Sequence, residues 1–412
     1  MSPEDLLERG LGVFEKSVEN KPGTVWEKIR RSRAALLILA LTTAFMQLRK
    51  LPESFSSTTM DAAAILQPAF PAKDVRLVAI DEQDYQTTFG GRSPLDPAKF
   101  SELLTDIARG QPSVVVVDFD TSHPMFQTMK APLTAPFVWA VSNRHGGDPP
   151  FEAEKPLGGI PMPPNSTAAL DLIPRDGRGI VRKYVRQFPD LHGGSIPSLE
   201  FAASQLYKGQ PLPAVVNSTN NELLLDFRYR VPSYSAQEIR QRAPLPGWPR
   251  GVLNGKVVVL GGTFKEARDR HSTPVRLIDG AEIVAQATEA EIENTGVLPV
   301  SPWFAGFLQL VAGLGFIVLY RYVGLRTAFL ASLILVPVLS AAASMILFHR
   351  LGLWAALIPI LISLLVTELY SNAALYLALC KKFAGQSIPK TTAETQEIPV
   401  ETEKKIGAAG SR

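Results

Sequence analysis

The chain has 412 residues with 42 Lys and Arg against 39 Asp and Glu, a net charge of +3, 46% hydrophobic residues and a single cysteine, Cys380. So small a net charge gives no electrostatic case for binding nucleic acid, and one cysteine excludes an internal disulfide. The positive mean hydropathy of +0.09 averages a polar region with long apolar segments.

Taken in chain order, residues 1–33 read as a cytoplasmic arm with an amphipathic stretch of Leu6, Leu7, Leu11 and Phe14. Residues 34–50 contain a short apolar run, Ala34 to Leu48, which is read as an uncleaved membrane anchor. A signal-peptide core is the alternative, but the arm before it is long and no small-x-small site follows. Residues 51–299 are a polar domain. Residues 300–380 hold three apolar segments, Trp303 to Tyr320, Thr327 to Phe348 and Leu353 to Leu379, each near the roughly 20 residues that a bilayer core requires. Residues 381–412, rich in Lys, Glu, Thr and Ala, read as a disordered cytoplasmic tail.

Basic residues set the orientation. Lys28, Arg30, Arg31 and Arg33 precede the first segment, Arg321 and Arg326 separate the second and third, and Lys381 and Lys382 follow the fourth. Placing those clusters inside puts residues 51–299 outside the membrane. The expected location is a bacterial inner membrane, with four spans and a large periplasmic domain.

Within that domain, apolar runs alternate with helical patterns. VRLVAI (Val75 to Ile80), SVVVVDF (Ser113 to Phe119), Pro136 to Val141, Ile180 to Phe188, Glu222 to Phe227 and KVVVL (Lys256 to Leu260) read as strands. Pro97 to Arg109, Ser195 to Tyr207 and Gly280 to Glu293 read as helices, the first with Phe100, Leu103, Leu104 and Ile107 on one face. The expectation is one α/β domain with a mixed central sheet, in which 146–164 and 243–255 are long connections.

Asp81 and Asp118 end strands read as adjacent, and Asp120 follows two residues on. Ligands of α/β sheets settle at those ends, so the three carboxylates could hold Mg2+ or Ca2+, with Asp269 or Thr273 as a further oxygen ligand. The competing reading makes Asp81 and Asp120 caps and leaves Asp118 and Asp269 accepting backbone hydrogen bonds. Arg175 to Arg182 reads as a tight turn leading into a strand, in which Gly177 takes a positive φ, with Arg178 or Arg182 either gripping an anion or left solvent-facing or ion-paired. Neither an enzyme nor a zinc centre is indicated: Gly193, Gly194, Ser195 lacks the G-x-S-x-G elbow, so Ser195 reads as a helix cap, and the five histidines lack metal-site spacing. No cofactor is expected. Among the apolar segments, Glu368 is the costly residue, with Asn372 one turn on and Gln309 in the second segment as polar companions.

The succession VRLVAIDEQD, VVVVDFDTSHP, DLIPRDGRGIVRKYV, SIPSLEFAASQLY, GKVVVLGGTF, DRHSTP and DGAEIVAQATEAEI resembles the second type of CHASE domain, an extracytoplasmic sensory module found with cyclases and histidine kinases. The resemblance implies one N-terminal anchor, an outer sensor and three C-terminal spans. Two departures accompany it: GGRSPLDPAKF stands where the family has a Trp-Pro-rich stretch, and the tail is too short for an effector domain. The implied function is a signal-input subunit acting through a separate protein in the membrane or cytoplasm, with homo-oligomerisation as an option. The alternative is a structural or assembly subunit of an envelope complex.

Overall fold

The computed structural model describes residues 60–299, apart from 62, 63, 131, 133, 145–148, 216–219, 246, 248 and 249, together with isolated positions between 304 and 354. Apart from those isolated positions the four apolar segments, with Gln309, Glu368 and Asn372, and the adjoining Cys380 lie outside the described residues. No helix among the described residues is long and apolar enough to cross a membrane.

The elements that position the site are, in chain order, β1 (Val75–Ile80), α1 (Glu82–Thr87), α2 (Pro97–Arg109), β2 (Val114–Asp118), β3 (Phe137–Val141), β4 (Thr167–Leu170), α3 (Leu199–Tyr207), β5 (Ser233–Ser235), α4 (Ala236–Arg242), β6 (Val257–Gly262) and α5 (Gly280–Ile292). Six strands form one sheet in the order β5-β1-β6-β2-β3-β4. Every neighbouring pair in it is parallel. The domain mixes both kinds of strand pairing, but not within the central sheet, where the sequence reading places the mixing: antiparallel pairing occurs in separate two-stranded ribbons, among them Lys183–Val185 with Glu222–Leu224 and Arg270–Ser272 with Leu277–Asp279.

The valine-rich strands are buried on both faces, because helices cover the sheet on each side. Val115 and Val117 of β2 join Val78, Ile80, Phe100, Leu103, Leu104, Ile107 and Ile239 beneath α2 and α4. Val114 and Val116 point the other way, against Leu199, Ala202 and Ala203 of α3 and Ala281, Val284 and Ala285 of α5. The small side chains on both helices let them sit close to the strands. On α2, the Asp96 carboxylate accepts from the amides of Ala98 and Lys99, and Pro97 occupies the first turn. Its four buried apolar side chains, Phe100, Leu103, Leu104 and Ile107, are at most 1% exposed, which contributes roughly 6–12 kcal/mol at 1.5–3 kcal/mol each.

Local chemistry revises several sequence expectations. The strand expected over Ile180 to Phe188 is two short pieces, Lys183–Val185 and Gln187–Pro189, each in a ribbon outside the central sheet. Ser195 is not a helix cap: it lies in the strand Ser195–Pro197, where its hydroxyl donates to the Ala214 carbonyl, and Ser198 caps α3 instead. In the turn before Arg182 the positive φ of 76° belongs to Gly179 rather than Gly177.

Candidate functional site

Parity along β2 decides where Asp118 points. Val114 and Val116 face α3 and α5, and Asp118 continues that alternation at the C-terminal end of the strand. Three further acidic residues arrive at the same place from different elements. Asp171 directly follows β4, its amide held by the Val141 carbonyl at the end of β3. Glu200 sits in the first turn of α3, just beyond Ser198, which bridges Leu170. Asp269 immediately precedes the ribbon whose second strand ends at Asp279, so the hairpin returns it to the start of α5, where its carbonyl accepts from the Gly280 amide at 2.7 Å.

Two glycines make room for this convergence. A Cβ on Gly280 would stand 1.9 Å from Oδ2 of Asp269, and one on Gly261, the β6 residue in register with Asp118, would meet Ala281 Cβ at 2.3 Å and Asp118 Oδ2 at 3.2 Å. Neither position tolerates a side chain without displacing a carboxylate or α5.

The carboxylates are not equally satisfied. Asp269 Oδ1 lies 2.7 Å from Nε2 of His271, whose Nδ1 lies 3.2 Å from an Arg175 guanidinium nitrogen. Arginine only donates, so Nδ1 accepts, Nε2 carries the proton, and neutral His271 donates to Asp269. Asp120 is exposed and accepts from the Ser122 amide at 2.8 Å, which closes a local turn. The Asp118 side chain is 9% exposed and, among the described residues, has neither a hydrogen bond nor an ion pair. Burial pushes its carboxyl well above the ordinary range, and Asp171, Asp269 and Glu200 add to the rise by repulsion. Asp171 keeps solvent-exposed surface; desolvation of the rest of the group, and then the charge of Asp269, raise it to about 6. Glu200, 7% exposed, is pushed up to about 8 chiefly by burial.

The other residues singled out from sequence do different work. β6 lies between β1 and β2, so the strands ending at Asp81 and Asp118 are not neighbours. Asp81 caps α1, accepting from the Asp84 amide at 2.8 Å, and buried Asp84 in turn accepts from the amides of Ala236 and Gln237, pinning α4 to α1. Arg182, 6% exposed, is spent on a two-pronged pair with Asp61, at 2.7 and 2.8 Å, and on Asp176. It is the ion-paired arginine, not an anion grip. The Thr273 hydroxyl donates to the Arg276 carbonyl at 2.5 Å and stays in its turn. Asp118, Asp120 and Asp269 are therefore the members of the sequence-read set that the fold brings within one electrostatic neighbourhood. Asp171, Glu200 and His271 were missed. Asp171 carried a readable signal, since it follows a short apolar run as Asp81 and Asp118 do; Glu200 looks like an ordinary first-turn acid.

On the loop after β2, Ser122 opens onto a depression of about 670 Å3 lined also by Arg144, Glu152, Lys155, Asp190 and His192. A parallel sheet flanked by helices, with polar groups gathered at its C-terminal edge, is the arrangement in which α/β folds place their ligand sites. The CHASE2 domain family matches residues 34–319, more than half of the chain, and the protein belongs to that family of sensory extracellular domains. No curated protein and no solved structure matches the chain.

Proposed function

We propose that the protein is a membrane-anchored signal-input subunit: its outer domain reads a ligand at the carboxylate recess and passes the response along α5 into the membrane, to a separate partner protein. The observation that carries this reading is the seating of Asp269 on Gly280, the first residue of α5. A ligand that changes the charge or position of Asp269 acts directly on the end of a 13-residue helix, about 20 Å long. Beyond Ile292, the chain reaches Leu298–Pro299 in a few residues, just before the apolar segment that begins at Trp303.

Two further features support the arrangement. Leu298–Pro299 pairs in parallel with Leu353–Trp354, so the exit from the domain and the start of the last apolar segment share one side, as the charge-based topology requires. The concave polar surface at the C-terminal edge of the sheet is what a receptor presents. The test is native mass spectrometry of the full-length protein in mild detergent, followed by assay of whatever co-purifies. The reading predicts a signalling effector at fixed stoichiometry whose activity changes when Asp118→Asn is introduced. Recovery with envelope-assembly components alone, and no effector, contradicts it and supports the structural-subunit alternative.

A further inference from the structure

We infer that the recess formed by Asp118, Asp171 and Asp269 binds a hard divalent cation, Ca2+ or Mg2+, and that this cation is the ligand, or part of the ligand, that the domain senses. The inference rests on the sensory reading and names the chemistry of its site.

The acids at this site are not balanced by basic residues. Three carboxylates come from three separate elements, with Asp120 nearby, and no lysine or arginine pairs with Asp118, Asp120 or Asp171 among the described residues. Arg175 faces His271, and Arg270, next to Asp269, is paired with Asp279. Asp118 is the decisive group, because a carboxylate nine-tenths buried with no donor in reach is costly unless something outside the chain supplies positive charge. Its Oδ2 and the Cβ of Ala281 both lie against the open face of Gly261, and Ala281 follows the Gly280 on which Asp269 is seated, so Asp118 faces the start of α5 and Asp269.

Donor chemistry selects the kind of cation. The open ligand atoms are carboxylate oxygens: both of Asp118, those of Asp171, Oδ2 of Asp269 and the second oxygen of Asp120. Both nitrogens of His271 are occupied, one by Arg175 and one by Asp269, and no cysteine lies in residues 51–299. A set of three or four carboxylates without imidazole or thiolate suits Ca2+ or Mg2+ over zinc, copper or nickel. His271 then serves as a positioning residue: held by Arg175 in the tautomer that donates to Oδ1 of Asp269, it leaves Oδ2, which lies against Gly280, without a hydrogen bond among the described residues.

A second acidic group provides a contrast. Oxygens of Asp74, Glu289 and Glu293 all lie within 4.8 Å of one another, yet each acid already has partners. Glu289 accepts from the amides of Lys73, Asp74 and Val75 at 2.7, 3.1 and 2.9 Å, Asp74 meets Lys256 at 3.1 Å and Glu293 meets Lys73 at 3.4 Å. That group clamps the start of β1 to α5. The recess acids are not gathered so closely. Binding a cation includes the step of drawing them together.

The test is calorimetric titration of the full-length protein in detergent with CaCl2 and with MgCl2, alongside Asp118→Asn, Asp171→Asn and Glu293→Gln, with the Tm of each protein recorded with and without salt. The expected result is one site with Kd of about 0.1–1 mM, the range of extracellular modules, and a Tm that rises with cation. Affinity should fall roughly tenfold or more in Asp118→Asn and Asp171→Asn and be retained in Glu293→Gln. Asp118→Asn should unfold no earlier than the natural protein in cation-free buffer, since it removes an unpaired charge; this separates loss of binding from loss of fold. No heat and no Tm response to either salt, or equal binding in all four proteins, overturns the inference. The effector assay above uses no added cation, so that result leaves the sensory reading to stand or fall separately.

Discussion

Replacing Glu200 with glutamine should make the protein more stable at neutral pH and leave it unchanged in acid. Glu200 is 7% exposed and its carboxyl is raised from 4.5 to about 8, with burial as the main cause. A carboxyl raised in the folded state contributes stability below its unfolded pKa, and that contribution is lost as pH climbs toward the folded value. At pH 7 the unfolded chain has released the proton and the folded chain has kept it. The gap between pH 7 and 4.5 corresponds to about 3 kcal/mol at 1.36 kcal/mol per unit. Glutamine mimics the protonated acid and has no proton to lose, so the variant should recover that amount. For a domain of this size, 3 kcal/mol is a rise in Tm of roughly 6–12 °C. Thermal unfolding of both proteins in detergent, followed by near-UV circular dichroism across the acid-to-neutral range, measures it directly. Asp118 and Asp171 tilt both profiles in the same sense, and the difference between the proteins reports Glu200 together with its smaller repulsion of those two acids. Parallel profiles, with the same offset in acid and at neutrality, would refute the assignment of Glu200 as a buried protonated acid.

Other substitutions probe the framework separately from the recess. Arg182→Met leaves Asp61 and Asp176 without their shared guanidinium and should destabilise by about 3 kcal/mol, the low end for breaking a buried pair, since both acids keep some contact with water; cation binding measured on the remaining folded protein should be unaltered. Asp84→Asn weakens the hydrogen bonds to the amides of Ala236 and Gln237 and should cost about 1–2 kcal/mol, with faster amide exchange at the start of α4. Gly280→Ala places a methyl 1.9 Å from Oδ2 of Asp269; it should cost about 1–3 kcal/mol and weaken cation binding in the same titration that Glu293→Gln leaves intact.

What the sequence revealed and what it hid follow from physical range. Central strands such as VRLVAI and VVVVD are legible because burial on both faces imposes an unbroken apolar run, and α2 is legible because Asp96, Pro97 and its apolar spacing agree. Thr167–Leu170, at one edge of the sheet and only half buried, offers three apolar residues, a weaker signal than the central strands. The pairing of β1 with β6 instead of β2 is a long-range choice, and for that reason Asp81 was grouped with Asp118. Glycine positions misled in the opposite direction: Gly177 and Gly179 are indistinguishable in sequence, and only the hydrogen bonds of Asp176 to the amides of Arg178 and Ile180 select the second. At the recess, Asp118 and Asp269 were readable because they abut recognisable strand ends and motifs. The burial of Glu200 and the return of Asp269 onto Gly280 depend on how α3 and α5 pack against the sheet.

The most direct test of the central claim, that the recess acts on the membrane side through α5, is amide hydrogen exchange of the full-length protein in nanodiscs, comparing the natural protein with Asp118→Asn/Asp171→Asn. Neutralising both acids imitates the charge that a ligand would supply. The account predicts altered exchange along Gly280–Ile292 and on to Leu298, with α1 and α4, on the opposite face of the sheet, unchanged. Exchange changes confined to the loops around Asp118 and Asp171, with α5 and Leu298 unaffected, would contradict it.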